Sequence, residues 1–238
     1  MTPEQAAHET RDPTVFLPAK FMSDSATYVR GAELGFDGTD FYFGGRGGAL
    51  GDVTADVVVA AFVFFAPTTV TPAWERAGTV MPRRDAAVAW MECAATWATT
   101  NLGDEVDWAR LAHLLGRIVD NASFAGVPLF AGAHSLPLPS DPRALAIHRL
   151  DLLRELRGGL HGAAVLTVGL QVNEAISVIA PQMHGFMGWE GDALDAEPLQ
   201  ERWRLAEART DRMVGRHFAI LTADERAELV ELLKQANS

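Results

Sequence analysis

Leu152-Leu153-Arg154-Glu155-Leu156-Arg157-Gly158-Gly159-Leu160-His161-Gly162-Ala163-Ala164 sets two arginines, a carboxylate and a histidine beside a glycine pair, just ahead of a run with almost no charge. At about 100° per residue, Arg154, Arg157 and His161 fall on one side of a helix. His148, Asp151 and Glu155 fall on another, and the leucines at 145, 152, 153, 156 and 160 fill the side between them. That periodicity predicts a helix with two polar sectors flanking an apolar stripe. Each glycine weakens a helix interior by about 1 kcal/mol, so a kink or break is expected at Gly158-Gly159. A break would leave backbone N–H groups free beside two guanidiniums and an imidazole, a good setting for a carboxylate or other anion. The plainer reading is an amphipathic helix with solvated charges and local pairs such as Asp151–Arg154.

Working outward, the same 3.6-residue period dominates and strand alternation is almost absent, which predicts an all-α chain. Helices are expected over residues 23–34, 54–65, 82–99, 107–121, from 142 to 157 or beyond, and over 197–218 and 222–235. Asp107, Asp141-Pro142 and Thr222 with Glu225 are their start signals. Residues 160–168 and 172–180 form a pair broken at Gly169, the outline of a helix-turn-helix. Residues 41–51 read as an aromatic, glycine-rich connection. That segment is either a phosphate-cradling loop using Arg46 or a tight helix–helix link that packs Tyr42 and Phe43 inward. Residues 126–142 hold four prolines and mark the expected boundary between an N-terminal helical region (1–125) and a C-terminal helix-turn-helix-like region (142–238), with 126–141 as connector.

With 31 acids against 20 lysines and arginines the formal net charge is −11, which repels nucleic-acid phosphates and anionic membranes. No Lys or Arg occurs from Gly158 through Glu201. A recognition helix over 172–180 would therefore bring Asn173, Ser177 and a repelling Glu174 to DNA, and nucleic acid is not the expected partner. Cys93 is alone, so neither an internal disulfide nor a cysteine metal cluster can form. The histidines show no metal-ligand spacing, and no metal is expected. The first residues lack the apolar core of a signal peptide, and a cytoplasmic protein without membrane spans is expected.

These blocks together resemble an uncharacterised, mainly actinobacterial family with a helix-turn-helix fold and a MarR-like tail. Its LLREHRGDGHVAAL-type signature is matched by residues 152–164. An aromatic-x-x-R-x-x-x-LG segment is matched by Phe43, Arg46, Leu50 and Gly51. An F-x-P end to an apolar helix lies within residues 64–67, G-x-PLFA lies at 126–131, and EARTD at 207–211. Leu156 stands where the family has a histidine, and Gly159 where it has an aspartate. The winged segment expected before EARTD is replaced by a short acidic stretch. The resemblance implies a degenerate helix-turn-helix and makes Arg46 and Tyr42 site candidates.

The expected function is a helical small-molecule binder whose ligand is mostly apolar with an anionic end. In its enzymatic form, without cofactor, Arg154 and Arg157 hold an oxyanion while His161 moves a proton, oriented by Glu155 or His148. Tyr42, Phe43, Arg46, Met183 and His184 are the further lining candidates, with haem ligation through His184 as an alternative. A non-catalytic binder and a MarR-like transcriptional regulator are the competing readings. A homodimer through the terminal helices at 197–235 is expected in either case.

Overall fold

The computed structural model describes residues 1–237, and among these every regular element is helical. The chain begins with α1 (Pro3–Glu9), α2 (Arg11–Ser23) and α3 (Ser25–Glu33). Thr2 and Gln5 close a capping box on the first, and the Asp24 carboxylate accepts from Ala26 N on the third. Then follow α4 (Asp40–Gly48), α5 (Ala55–Phe62), α6 (Pro67–Val80) and α7 (Arg83–Asn101). The second half comprises α8 (Trp108–Val119), α9 (Pro128–Ala133), α10 (Pro142–Thr167), α11 (Val172–Ile179), α12 (Gln200–Phe218) and α13 (Ala223–Ala236).

The expected caps act as read. Asp107 accepts from Arg110 N, Asp141 from Arg143 N and Ala144 N, and Thr222 pairs with Glu225 in a capping box. Four local expectations are corrected. Residues 41–51 are mostly helix, α4, so no loop of free N–H groups exists there for a phosphate. The glycines serve close packing instead: a Cβ on Gly45 would sit 2.6 Å from the Trp90 side chain, and one on Gly44 2.7 Å from Ala77. The helix expected over 54–65 stops at Phe62, and Pro67 starts a further helix rather than merely ending the previous one. The proline-rich stretch at 126–141 carries α9.

The fourth correction is the most consequential. α10 runs 26 residues without interruption through Gly158-Gly159. A Cβ at Gly159 would lie 2.8 Å from Val127, and one at Gly162 2.9 Å from Val63. Tertiary contact with bare helix surface thus offsets the weak local propensity.

α10 is the axis of the molecule, packing on α8, α12, α7, α9 and α2. Its leucines 150, 152, 153 and 156 enter the main core with Trp90, Phe21, Phe41 and the α8 leucines. A second, aromatic core gathers Phe43, Phe62, Phe65 and Trp74. A third, smaller one joins Val165, Leu170, Ala175 and Ala206. α10 ends at Thr167, Gly169 takes φ +76°, and α11 leaves at 111° to it. That angle and a short glycine turn are the geometry of a helix-turn-helix. Among the described residues no single helix is long and apolar enough to cross a membrane.

Candidate functional site

Between α2, α4, the end of α5, α10 and the segment after α11 lies a cavity of about 750 Å³, a ligand-sized volume. Arg46, Arg154, Arg157 and His161 all line it, as do Tyr42 and Met183. The two halves of the sequence therefore meet around one space. The opposite wall is apolar and soft, built from Phe62, Phe64, Phe65, Phe186, Met22 and Met187. Val63, between two of those phenylalanines, holds φ +49°. A β-branched residue there costs on the order of 1–3 kcal/mol, and it lies against Gly162 of α10.

Two polar clusters sit along α10. In the first, Glu155 is buried and receives a two-pronged grip from Arg46, Nε at 2.7 Å and Nη2 at 2.9 Å. Arg154 Nη1 adds a third donor at 2.9 Å. Burial works to raise the Glu155 carboxyl, but Arg46 and Arg154 together outweigh it and hold it below the usual carboxylate range. Arg46 donates its remaining Nη1 to the Tyr42 hydroxyl at 2.8 Å and lies 4.5 Å over the Phe62 ring. Arg154 Nε is buried with no acceptor among the described residues. Asp151, one turn before Glu155, has a buried Oδ1 without a partner. Burial, then the Glu155 charge, push its carboxyl up to about 7.

In the second cluster Arg157 Nη2 donates to Glu207 at 2.7 Å and to Asp211 at 3.4 Å. Arg11 reaches the same Glu207 oxygen, and His8 meets Asp211 at 2.8 Å. Thr210 commits its proton to the Ala206 carbonyl, so its oxygen accepts from His161 Nδ1 at 2.9 Å. His161 Nε2 then carries the lone pair, 3.7 Å from a Glu207 oxygen. Burial lowers the imidazole to about 4, leaving it neutral near neutral pH. Trp203 and Phe64 hold the ring, with centroids 5.0 and 5.7 Å away.

The other candidates lie elsewhere. Phe43 is in the aromatic core, edge-on to Tyr42 and Phe65, and does not line the cavity. Glu155 stands behind the arginines rather than on the wall. His148 is buried beside Arg149 and His134, lowered to about 4 by burial, with Nε2 unpartnered. It makes no contact with Glu155 or His161 through a hydrogen bond. His184 is buried next to Met183 with both ring nitrogens unpartnered, also outside the cavity lining. Among the described residues no group of three or more His, Cys, Asp or Glu could hold a metal ion. Cys93 lies in the main core, and burial pushes its thiol up to about 11.

Glu207, Thr210 and Asp211 are the residues that sequence reasoning left without a role. Their signal was present in the EARTD segment, a helical block with two acids four apart on one face. Only the packing of α12 on α10 shows that this face meets Arg157 and His161.

Comparison with curated proteins and with solved structures found no match. A family model does match, over residues 19–238, which takes in the first polar cluster, nearly all of the cavity lining and the bent helix pair: the chain belongs to a helix-turn-helix family.

Proposed function

We propose that this protein binds a mostly apolar small molecule that carries one carboxylate. The observation that carries this reading is the charge imbalance at the cavity wall. Arg46 and Arg154 come from different helices, both face the space, and among the described residues Glu155 is the one carboxylate bonded to them. A buried cation without a full counter-charge is costly, and a ligand carboxylate would supply it. The phenylalanine and methionine wall suits an alkyl or aryl body.

Binding is favoured over catalysis. Neutral His161 commits its one N–H, at Nδ1, to Thr210 on α12, and burial lowers it to about 4, so it has no proton to give a ligand and is a weak base near neutral pH.

Calorimetry with decanoate and decanol tests the reading. Decanoate is expected to bind and decanol to bind far more weakly. Equal affinity for both, or none for either, would overturn it.

A regulator that reads DNA has one observation in its favour, the 111° bend between α10 and α11. Its recognition helix carries no cation, while Arg202 and Arg209, which reach the turn at Gly169 O and Thr167 O, are partly spent there. Gel shifts at low salt with random-sequence and self-promoter DNA separate the readings. Tight binding with a steep salt dependence would support the regulator.

A further inference from the structure

Among the described residues, Asp151 is the one member of the first cluster whose side chain makes no hydrogen bond. It lies behind the Arg46–Glu155 pair in a crevice of about 10 Å³, too small for a ligand. The groups around it are few. Arg46 faces it from α4, and Arg154 and Glu155 from its own helix. α7 contributes Ala87, Trp90 and Met91, and α9 with the residues after it contributes Leu129, Ala133 and Leu136. None of these six titrates in the ordinary range. His148, one turn earlier, is neutral near pH 7 because burial lowers it.

The cluster therefore has two cations and two carboxyl groups, and the proton on Asp151 decides its charge. With that proton in place, the arginines keep one positive charge beyond what Glu155 cancels. Without it, the cluster is neutral and a buried carboxylate oxygen stands unpartnered beside Glu155, a repulsive arrangement. An incoming anion adds a further negative charge nearby and strengthens the hold on the proton.

We propose that Asp151 sets the charge that the cavity accepts: in its protonated form it leaves room for one anionic charge, so a monocarboxylate binds together with a proton held on Asp151. This inference rests on the ligand-binding reading above and goes beyond it by naming the charge of the head group and a proton as co-ligand. A dianionic head such as a phosphate monoester would overfill a site with a single uncompensated cation. The buried Asp151 carboxyl, raised to about 7 before any ligand arrives, places the dependence within reach of ordinary buffers.

The test is calorimetry of decanoate binding to the full chain in buffers of differing ionisation enthalpy, at about pH 6 and about pH 8. Decanoate stays ionised throughout, so any proton taken up belongs to the protein. Uptake close to zero is expected at the lower pH and uptake approaching one proton at the higher. Affinity should fall by about tenfold per pH unit above 7. In Asp151→Asn the profile should be flat, and at the higher pH the variant should bind more tightly than wild type. Should that variant not fold, the proton count on the wild-type chain decides by itself. Binding without proton uptake at the higher pH would overturn the role of Asp151 while leaving the ligand-binding reading intact. At about pH 8, where decyl phosphate is a dianion, its binding as tightly as decanoate would overturn the single-charge selectivity. No binding by decanoate at either pH would remove both inferences.

Discussion

The two polar clusters on α10 are built from the same kinds of side chain, two or three residues apart, yet they do different things. Around Arg157 the charges balance: Arg157 and Arg11 face Glu207 and Asp211, with neutral His161 bonded to Thr210. That cluster fastens α12 and the N-terminal helices to α10. Around Arg154 the count does not close as long as Asp151 holds its proton, because Arg46 and Arg154 then share the single charge of Glu155. Residue type does not distinguish the clamp from the proposed binding site. The number of counter-charges within reach does.

The largest expected effect falls on the clamp. Glu207→Ala leaves Arg157 with only the longer Asp211 contact in a buried setting, and removing one partner of such a pair costs about 3 kcal/mol. Urea denaturation should show that loss, and a change below about 1 kcal/mol would mean that the cluster is solvent-screened decoration. Arg154→Ala probes the opposite side of the contrast. It should weaken decanoate binding by about 2 kcal/mol, the scale of a charge-assisted contact, and leave urea stability nearly unchanged. If stability fell as far as in Glu207→Ala, the two clusters would not differ in kind.

A smaller effect is expected at Gly158, which lines the cavity and where an added Cβ would meet nothing within 4 Å. Gly158→Ala should stabilise the helix by about 1 kcal/mol in thermal or urea unfolding. Destabilisation would show that the bare backbone there is needed.

The subtlest prediction sharpens the contrast through pH. Asp151 has a raised carboxyl in the folded chain, so it contributes stability at low pH that is lost as pH climbs from about 3.8 to about 7. His148 and His161 are lowered from 6.5 to about 4, so their contribution is lost as pH falls through that window. Asp151→Asn should therefore raise the melting temperature relative to wild type by a few degrees at pH above 7 and not near pH 4. An equal offset at every pH would show that the effect is packing rather than ionisation.

Much of this arrangement was legible in the chain, and the exceptions share a cause. The stripe of Arg154, Arg157 and His161 could be placed on one face because helical period fixes angles over a few turns. The same stripe says nothing about which helix lies opposite, and so Glu207 and Thr210, about fifty positions away, went unassigned. Phe43 reads as a site residue beside Tyr42 and Arg46, but successive helical positions diverge by about 100°, and it turns into the aromatic core. His148 shares a sector with Glu155, yet two turns along α10 the neighbours have changed to Arg149 and His134. His184 adjoins a lining methionine and still faces away from the cavity. The break expected at Gly158-Gly159 followed propensity correctly and was overruled by Val127 and Val63 pressing on the helix.

By itself the sequence determined the helical class, the capped starts at Asp107, Asp141 and Thr222, the turn at Gly169, and a face of α10 rich in cations. Those are local properties, set by hydrogen bonds and side-chain angles within a few residues. Tertiary structure alone decided that the glycine-rich stretch after Asp40 is a helix, that Arg46 meets Glu155 across 109 positions, and that one arginine pair is balanced while the other is not. Such outcomes depend on which distant surfaces exclude water from each other, and no short window of sequence carries that information.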